Sequence, residues 1–272
     1  MTDRRTWPAN GRVALRSLGL EGPTPVDGTP ARAARPVCDL CNAPSGRRER
    51  QVLLGEALLV LEDRDGWSFV QTANGYCGYV ESGRLEAGRW PTHRVVSRGT
   101  HAYAERSIKS PDRMALPFGA QLRAIETVDG LVETTCGYVP ASHLRPLDQP
   151  FADPVEVALL HLGVPYLWGG NSTRGIDCSG LVHAALTACD RPCPGDADLQ
   201  EAAVGVPVDL SEPPGRGDLI FWKGHVGMMV DENTMVHANA HAMAVTLEDL
   251  SSAIARIRTQ GGGDVTARRR PG

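Results

Sequence analysis

Lysine is nearly absent from this chain: of its 28 basic residues only Lys109 and Lys223 are lysine, and 32 acidic residues bring the formal net charge to −4. No basic stripe forms, which argues against nucleic acid as a partner. Long apolar runs are missing as well. Nothing approaches the roughly 18 consecutive apolar residues of a membrane-spanning helix, so no membrane partner is expected. The opening Met-Thr-Asp-Arg-Arg-Thr-Trp-Pro has positive charge with no apolar run behind it, and the expectation is a cytoplasmic protein without a secretory leader. The 7 cysteines are an odd number, which in that compartment argues against a disulfide framework. Cys38-Asp-Leu-Cys41 invites a zinc reading, but the second pair, Cys189 and Cys193, is poorly spaced and lies in a different segment. Free thiols are expected, with no metal or cofactor.

At 272 residues the chain fits two or three small domains. Two segments look like copies of one β unit. The first has Gly55, then Asp65-Gly66-Trp67, Gly78-Tyr79-Val80 and Leu85; the second has Gly119, Asp129-Gly130-Leu131, Gly137-Tyr138-Val139 and Leu144, at matching spacings. Strand-like alternation and Asp-Gly turn signals fill the intervals. Short strands closing on Gly-Tyr-Val describe a small barrel, and the segment from about Val37 to Leu147 resembles a pair of bacterial SH3 domains, at 37–88 and 92–147. Residues 1–36, rich in Pro, Gly and Arg, read as an extended arm or cap, and 262–272 as a disordered tail. Between them a third domain spans 150–261. Asp153-Pro154 supplies an N-cap and first helical position for Val155 to Leu162. A second helix and the strands 218–222, 225–230, 234–238 and 244–247 follow, an α+β arrangement.

Within that third domain Cys178 follows the loop residues Gly175 and Asp177 and precedes Leu181, Val182, Ala184, Ala185, Leu186 and Ala188, spaced as a helix's apolar face. A thiol at a helix N-terminus meets unpaired N–H groups and the positive end of the dipole, which favour thiolate. Cysteine attack needs an imidazole to take the proton and return it to the leaving amine, with a third group to fix the imidazole. His225 and His237 fit, because the short turn Asp231 to Thr234 predicts a hairpin that brings them together on one face. Asn239 and His241 are rivals for the third place. Each piece alone has an ordinary structural reading: a cysteine before a helix is more often inert, and Trp168, Phe221 and Trp222 suit packing. His93, His101, His143, His161 and His183 read as surface or core residues.

Five motifs in order make the third domain resemble the NlpC-type cell-wall cysteine peptidases, papain-like enzymes with a Cys-His-His triad. They are Tyr166-x-Trp168-Gly169-Gly170, Asp177-Cys178-Ser179-Gly180-Leu181-Val182, Gly217-Asp218-Leu219-x-Phe221-Trp222, His225-Val226-Gly227 and Val236-His237-Ala238. The twin SH3-like segments narrow the resemblance to enzymes that cleave stem peptides of peptidoglycan between γ-D-glutamate and a diamino acid. The resemblance implies a papain-like catalytic domain of helices packed on an antiparallel sheet, preceded by two SH3-like barrels. It makes Cys178 the nucleophile, His225 the base and acid, and His237 the orienting member. Tyr166 and the Cys178 backbone N–H become oxyanion donors, Asp177 and Ser179 contact substrate, and Glu49 and Tyr76 close the site around the free amino group of L-alanine. The implied partner is a peptidoglycan-derived peptide of the L-Ala-γ-D-Glu-diaminopimelate type. An amidase or acyltransferase using the same triad, and a cell-wall binding module, are the alternative readings.

Overall fold

The computed structural model describes residues 2–88 and 90–272, and the chain divides into two compact units, Met1–Gln149 and Pro150–Gly272. The first unit is made of strands and tight turns: β1 (Val13–Leu15), β2 (Thr24–Val26), β3 (Thr29–Ala33), β4 (Val37–Cys41), β5 (Arg48–Leu53), β6 (Ala57–Arg64), β7 (Trp67–Thr72), β8 (Cys77–Glu81), β9 (Leu85–Glu86), β10 (His93–Val95), β11 (Gly99–Tyr103), β12 (Asp112–Pro117), β13 (Gln121–Leu122), β14 (Ala124–Val128), β15 (Leu131–Thr134), β16 (Gly137–Pro140) and β17 (Leu144–Pro146). One sheet runs β5-β4-β8-β7-β6-β3-β9, a second runs β12-β11-β16-β15-β14, and β10 lies between β13 and β17.

The sequence repeat is also a repeat of strand plan. Asp65 and Asp129 both have φ 52°, and the glycines after them have φ 81° and 76°, the left-handed pair that a two-residue hairpin turn requires. These turns close β6 on β7 at Arg64↔Trp67 and β14 on β15 at Val128↔Leu131. In each copy the Gly-Tyr-Val strand is paired on both sides, β8 by β4 and β7, β16 by β11 and β15. The copies also share a core: Leu54 packs with Val95, Ala102, Leu116, Ala120, Leu122 and Val139.

Two expectations are corrected. Residues 1–36 are not an irregular arm, because β3 is inserted between β6 and β9, and β1 pairs in parallel with β2. Val13, Leu15 and Val26 pack on Leu61, Phe69 and Cys77. Pro30 and the sparse apolar residues hide β3 from a periodicity reading; its order comes from the partner strands. The segment 262–272 is not a disordered tail either. It carries a strand that is inserted into the sheet of the second unit.

That unit contains α1 (Pro154–Leu159), β18 (Asn171–Ser172), β19 (Gly175–Ile176), α2 (Cys178–Ala188), α3 (Ala197–Ala203), β20 (Val206–Pro207), β21 (Leu219–Trp222), β22 (His225–Met229), β23 (Thr234–Asn239), β24 (Ala244–Asp249), α4 (Leu250–Thr259) and β25 (Ala267–Arg270). Helices packed on one sheet make it α+β. The main sheet runs β20-β25-β21-β22-β23-β24, every described pair in it antiparallel. Asp153 caps α1, its Oδ1 accepting from the Val155 N–H at 2.8 Å, with Pro154 in the first turn. On α2 the buried face comprises Cys178, Leu181, Val182, Ala185, Leu186 and Ala188. On the far side of the sheet, α4 sets Ala253 and Ile257 against Ile220, Trp222, Met229 and Met235. Among the described residues, no helix is long and apolar enough to cross a membrane.

The terminal strand is held by charge as well as by pairing. Arg270 grips the fully buried Asp218 with two bonds of 2.7 and 2.8 Å, and Arg268 is itself buried. Removing residues 264–272 strips β21 of its partner β25 and leaves the Asp218 carboxylate without its main cation. We expect this truncation to destabilise the second unit, because a buried carboxylate loses its cation, read as a lowered urea midpoint.

Candidate functional site

The loop from Tyr166 to Asp177 is tied to the start of α2 by one carboxylate. Asp177 Oδ1 accepts from the Gly180 N–H at 2.6 Å and from the Ser179 hydroxyl at 3.0 Å, and its Oδ2 accepts from the Gly169 N–H at 2.8 Å. The Asp177 N–H in turn donates to the Gly170 carbonyl at 3.2 Å. Asp177 is thus an N-cap that also anchors the glycine loop. Gly180 makes the approach possible: a Cβ there would lie 2.3 Å from the Gly170 carbonyl oxygen. Cys178, the first residue of α2, is held between loop and sheet with 6% of its surface exposed.

The helix terminus does not make a resting thiolate. Burial pushes the Cys178 thiol up, the Asp177 charge pushes it further, and the backbone N–H groups of Val226, Ser179 and Cys178 itself only partly offset this. The sequence reading weighed the dipole without the desolvation that opposes it, and burial of the charged form is the larger effect. The Val226 contact also sets the sulfur against the strand that begins with His225.

His225 Nε2 lies 2.9 Å from His237 Nδ1. The register explains why: β22 and β23 pair at Met228↔Val236 and Met229↔Met235, so His225 and His237 fall on one face of the hairpin. His237 has no exposed surface. Its Nε2 lies 2.9 Å from Glu248 Oε2 on β24, and Glu248 is gripped by Arg256 of α4 through two bonds of 2.8 and 2.7 Å. Burial holds both imidazoles below their ordinary pKa; for His225 the neighbouring His237 adds to the effect, while for His237 Glu248 opposes it. The shifts favour a neutral thiol at Cys178 and neutral imidazoles at His225 and His237.

Of the two rivals for the third place, Asn239 adjoins His237 and His241 does not. Asn239 has its Nδ2 3.1 Å from His237 Nε2 and bonds Thr246 and the Ala242 N–H, while His241 is exposed beside Gln260. Tyr166 is half-buried, and burial followed by the charges of Cys178 and Asp177 raises its hydroxyl, which therefore stays a proton donor. Glu49 and Tyr76 belong to the first unit, where the Arg4 guanidinium bonds Glu49 and interacts electrostatically with Tyr76. Cys38 and Cys77 are buried strand thiols, which burial raises to about 11 and about 12. The sequence reading missed Glu248 and Arg256.

Comparison with known proteins agrees with this architecture. The NlpC/P60 family profile matches residues 163–262, and that of the bacterial dipeptidyl-peptidase Sh3 domain matches residues 40–85. The γ-D-glutamyl-L-lysine dipeptidyl-peptidase of Bacillus subtilis (strain 168) is 30% identical over 232 residues, covering 76% of this chain and 77% of that protein. The chain belongs to the NlpC/P60 family. It is a hydrolase acting on peptide bonds. Dipeptidyl-peptidase 6 of Lysinibacillus sphaericus is 26% identical over 228 residues, covering 74% of this chain and 83% of that protein. In fold, the chain is similar to an NlpC/P60 family protein from Bacillus cereus ATCC 10987, with a TM-score of 0.75 at 20% identity over 89% of this chain and 99% of the other.

Two outcomes follow from the site's construction. Gly180→Ala drives a Cβ into a backbone carbonyl that has no rotamer to escape by, and should destabilise the second unit by about 1–3 kcal/mol, measured by thermal unfolding. The depressed imidazoles set a sign for pH. Below about 6.5 the unfolded chain takes up protons that the folded His225 and His237 refuse, so stability is full above that value and falls as pH drops. The urea midpoint should fall between pH 7.5 and 5.5, and the decrement should shrink in His237→Asn.

Proposed function

We propose that this NlpC/P60 hydrolase is a cysteine peptidase that cuts the bond between γ-D-glutamate and the diamino acid of peptidoglycan stem peptides, with meso-diaminopimelate as the diamino acid and a free L-alanine at the N-terminus, in turnover or recycling of murein peptides. The observation that carries this reading is the meeting of Cys178 at the head of α2 with the strand that presents His225, itself bonded to His237 at 2.9 Å. The bond specificity is carried over from relatives named as γ-D-glutamyl-L-lysine dipeptidyl-peptidase and dipeptidyl-peptidase 6.

The chemistry is acyl transfer. As the sulfur attacks the γ-carbonyl of D-glutamate, its proton passes to His225, so the charge that burial forbids at rest appears only while a C–S bond forms. The tetrahedral oxyanion takes hydrogen bonds from the Cys178 backbone N–H and the protonated Tyr166 hydroxyl. His225 then returns the proton to the leaving amine, and water, activated by the same imidazole, hydrolyses the thioester. His237 holds the ring of His225. Asp177 fixes the loop beside the nucleophile, and Ser179 shares its carboxylate; their contacts to substrate are part of the proposal.

In the first unit the segment around Glu49 and Tyr76 is read as the recognition element for the free amine, within the first of two SH3-like barrels. Glu49 already binds a cation, Arg4, and a substrate ammonium is the same kind of partner. The domain plan proposed is 37–88 and 92–147 for the barrels, the first extended by β3, and 150–261 for the peptidase, extended by β25.

The test is hydrolysis of L-Ala-γ-D-Glu-meso-diaminopimelate, its L-lysine counterpart, and N-acetylated copies of both, followed by mass spectrometry. The free-amine peptides should be cut to L-Ala-D-Glu and the diamino acid, Cys178→Ala should lower kcat by about 10,000-fold, and Glu49→Gln should narrow the preference for the free amine. Equal rates on free and acetylated peptides remove the role of Glu49 and Tyr76, and no cleavage of either overturns the bond assignment.

A further inference from the structure

The contacts behind His237 decide which nitrogen of His225 is able to accept a proton. Glu248, ionised beside Arg256, is an acceptor only, and the Arg256 bond is the first cause that lowers its pKa. Its 2.9 Å contact therefore requires a proton on His237 Nε2, which leaves Nδ1 bare in the neutral ring. Bare Nδ1 accepts from His225 Nε2 at 2.9 Å, so His225 carries its proton there and its lone pair on Nδ1. Nδ1 of His225 has no partner among the described residues. The whole relay is thereby poised to receive the thiol proton.

A competing arrangement is built into the same pocket. Asn239 Nδ2, at 3.1 Å, is a donor, and a bond from it needs His237 Nε2 bare. His237 then keeps its proton on Nδ1, donates it to His225 Nε2, and pushes the His225 proton onto Nδ1, where no lone pair remains for the thiol. Glu248 outcompetes Asn239 because a charged acceptor bonds more strongly than a neutral donor; Asn239 keeps one Nδ2 hydrogen on Thr246 at 2.9 Å, and its Oδ1 accepts from the Ala242 N–H at 2.7 Å.

We propose that Glu248, clamped by Arg256, is a positioning residue that selects the proton-accepting tautomer of the His225–His237 pair, extending the relay by two members from β24 and α4. This rests on the reading of Cys178 and His225 as nucleophile and base. The charged and titratable groups that act on the imidazoles are Glu248 from β24 and Arg256 from α4, with His237 acting on His225, and Asn239 of β23 is a neutral polar neighbour.

The experiment has one readout independent of activity. In two-bond proton–nitrogen NMR spectra of the full chain, wild-type His237 and His225 should both be Nε2-protonated, and in Glu248→Ala the pair should shift toward Nδ1 protonation. With the peptide substrate, Glu248→Ala should lose about 10- to 100-fold in kcat, the scale for removing a group that orients a ligand imidazole, with KM within about twofold. Asn239→Ala in the Glu248→Ala background should restore part of that kcat, a rescue that a purely structural role does not give. The acid limb of kcat/KM should move to lower pH in Glu248→Gln, which removes a negative charge, and to higher pH in Arg256→Gln, which removes a positive one. Unchanged tautomers in Glu248→Ala, unchanged kcat, or limbs that move in the same direction overturn the proposal. A wild-type chain inactive on the peptides but showing the tautomers and their shift upholds the tautomer assignment and sinks the substrate reading instead.

Discussion

The antiparallel register of β22, β23 and β24 is the constraint on which the site depends. With Met228 opposite Val236 and His237 opposite Thr246, the side chains of His225, His237, Asn239, Thr246 and Glu248 share one face. A slip of one residue between β23 and its neighbours turns His237 to the opposite face, since side chains alternate along a strand. The register is itself fixed by packing. Ile220, Trp222, Met229 and Met235 are buried against α4 and lose that burial in any slipped pairing. The tight Asp231 turn adds to this, its Oδ1 accepting from the Asn233 and Thr234 N–H groups at 2.9 and 2.8 Å. Chemistry and core use one pattern of alternation, so the register that builds the core also places the site.

Burial then acts on the thiol, the phenol and both imidazoles of the cluster in the direction of neutrality. It raises Cys178 and Tyr166 and lowers His225 and His237, whereas Glu248 stays ionised because Arg256 shares its environment. One compensated ion pair at the back therefore supports a neutral relay at the front. A nucleophile of this kind is quiet until a carbonyl is in place to accept the developing charge, and the helix N-terminus, which cannot ionise the resting thiol, still lowers the energy of the anion that forms during attack.

Much of this was legible in the chain. The Asp-Gly turns of the two repeats follow from local chemistry, because only residues tolerant of positive φ occupy those positions, and the order of strands around them recurs in both copies. The His225–His237 contact was readable as well, since a four-residue turn between two short strands leaves little choice of pairing. Glu248 was not. The alternation Ala244 to Leu247 gave no reason to extend the strand into Glu248-Asp249, and a carboxylate at a strand end ordinarily faces water. Nor was β25 legible: Ala-Arg-Arg-Arg has neither alternation nor apolar content, and it is ordered only because Asp218 and the edge of β21 await it.

The sequence by itself determined the local geometry: where the chain turns, which residue caps α1, and which thiol and imidazoles lie on neighbouring elements. These are short-range consequences of glycine, aspartate and hydrophobic spacing. Tertiary structure alone decided the charge states, because desolvation depends on everything packed around a group. It also decided the proton positions, because the tautomer of His225 is set by Glu248, which reaches it only through a second strand and a second imidazole.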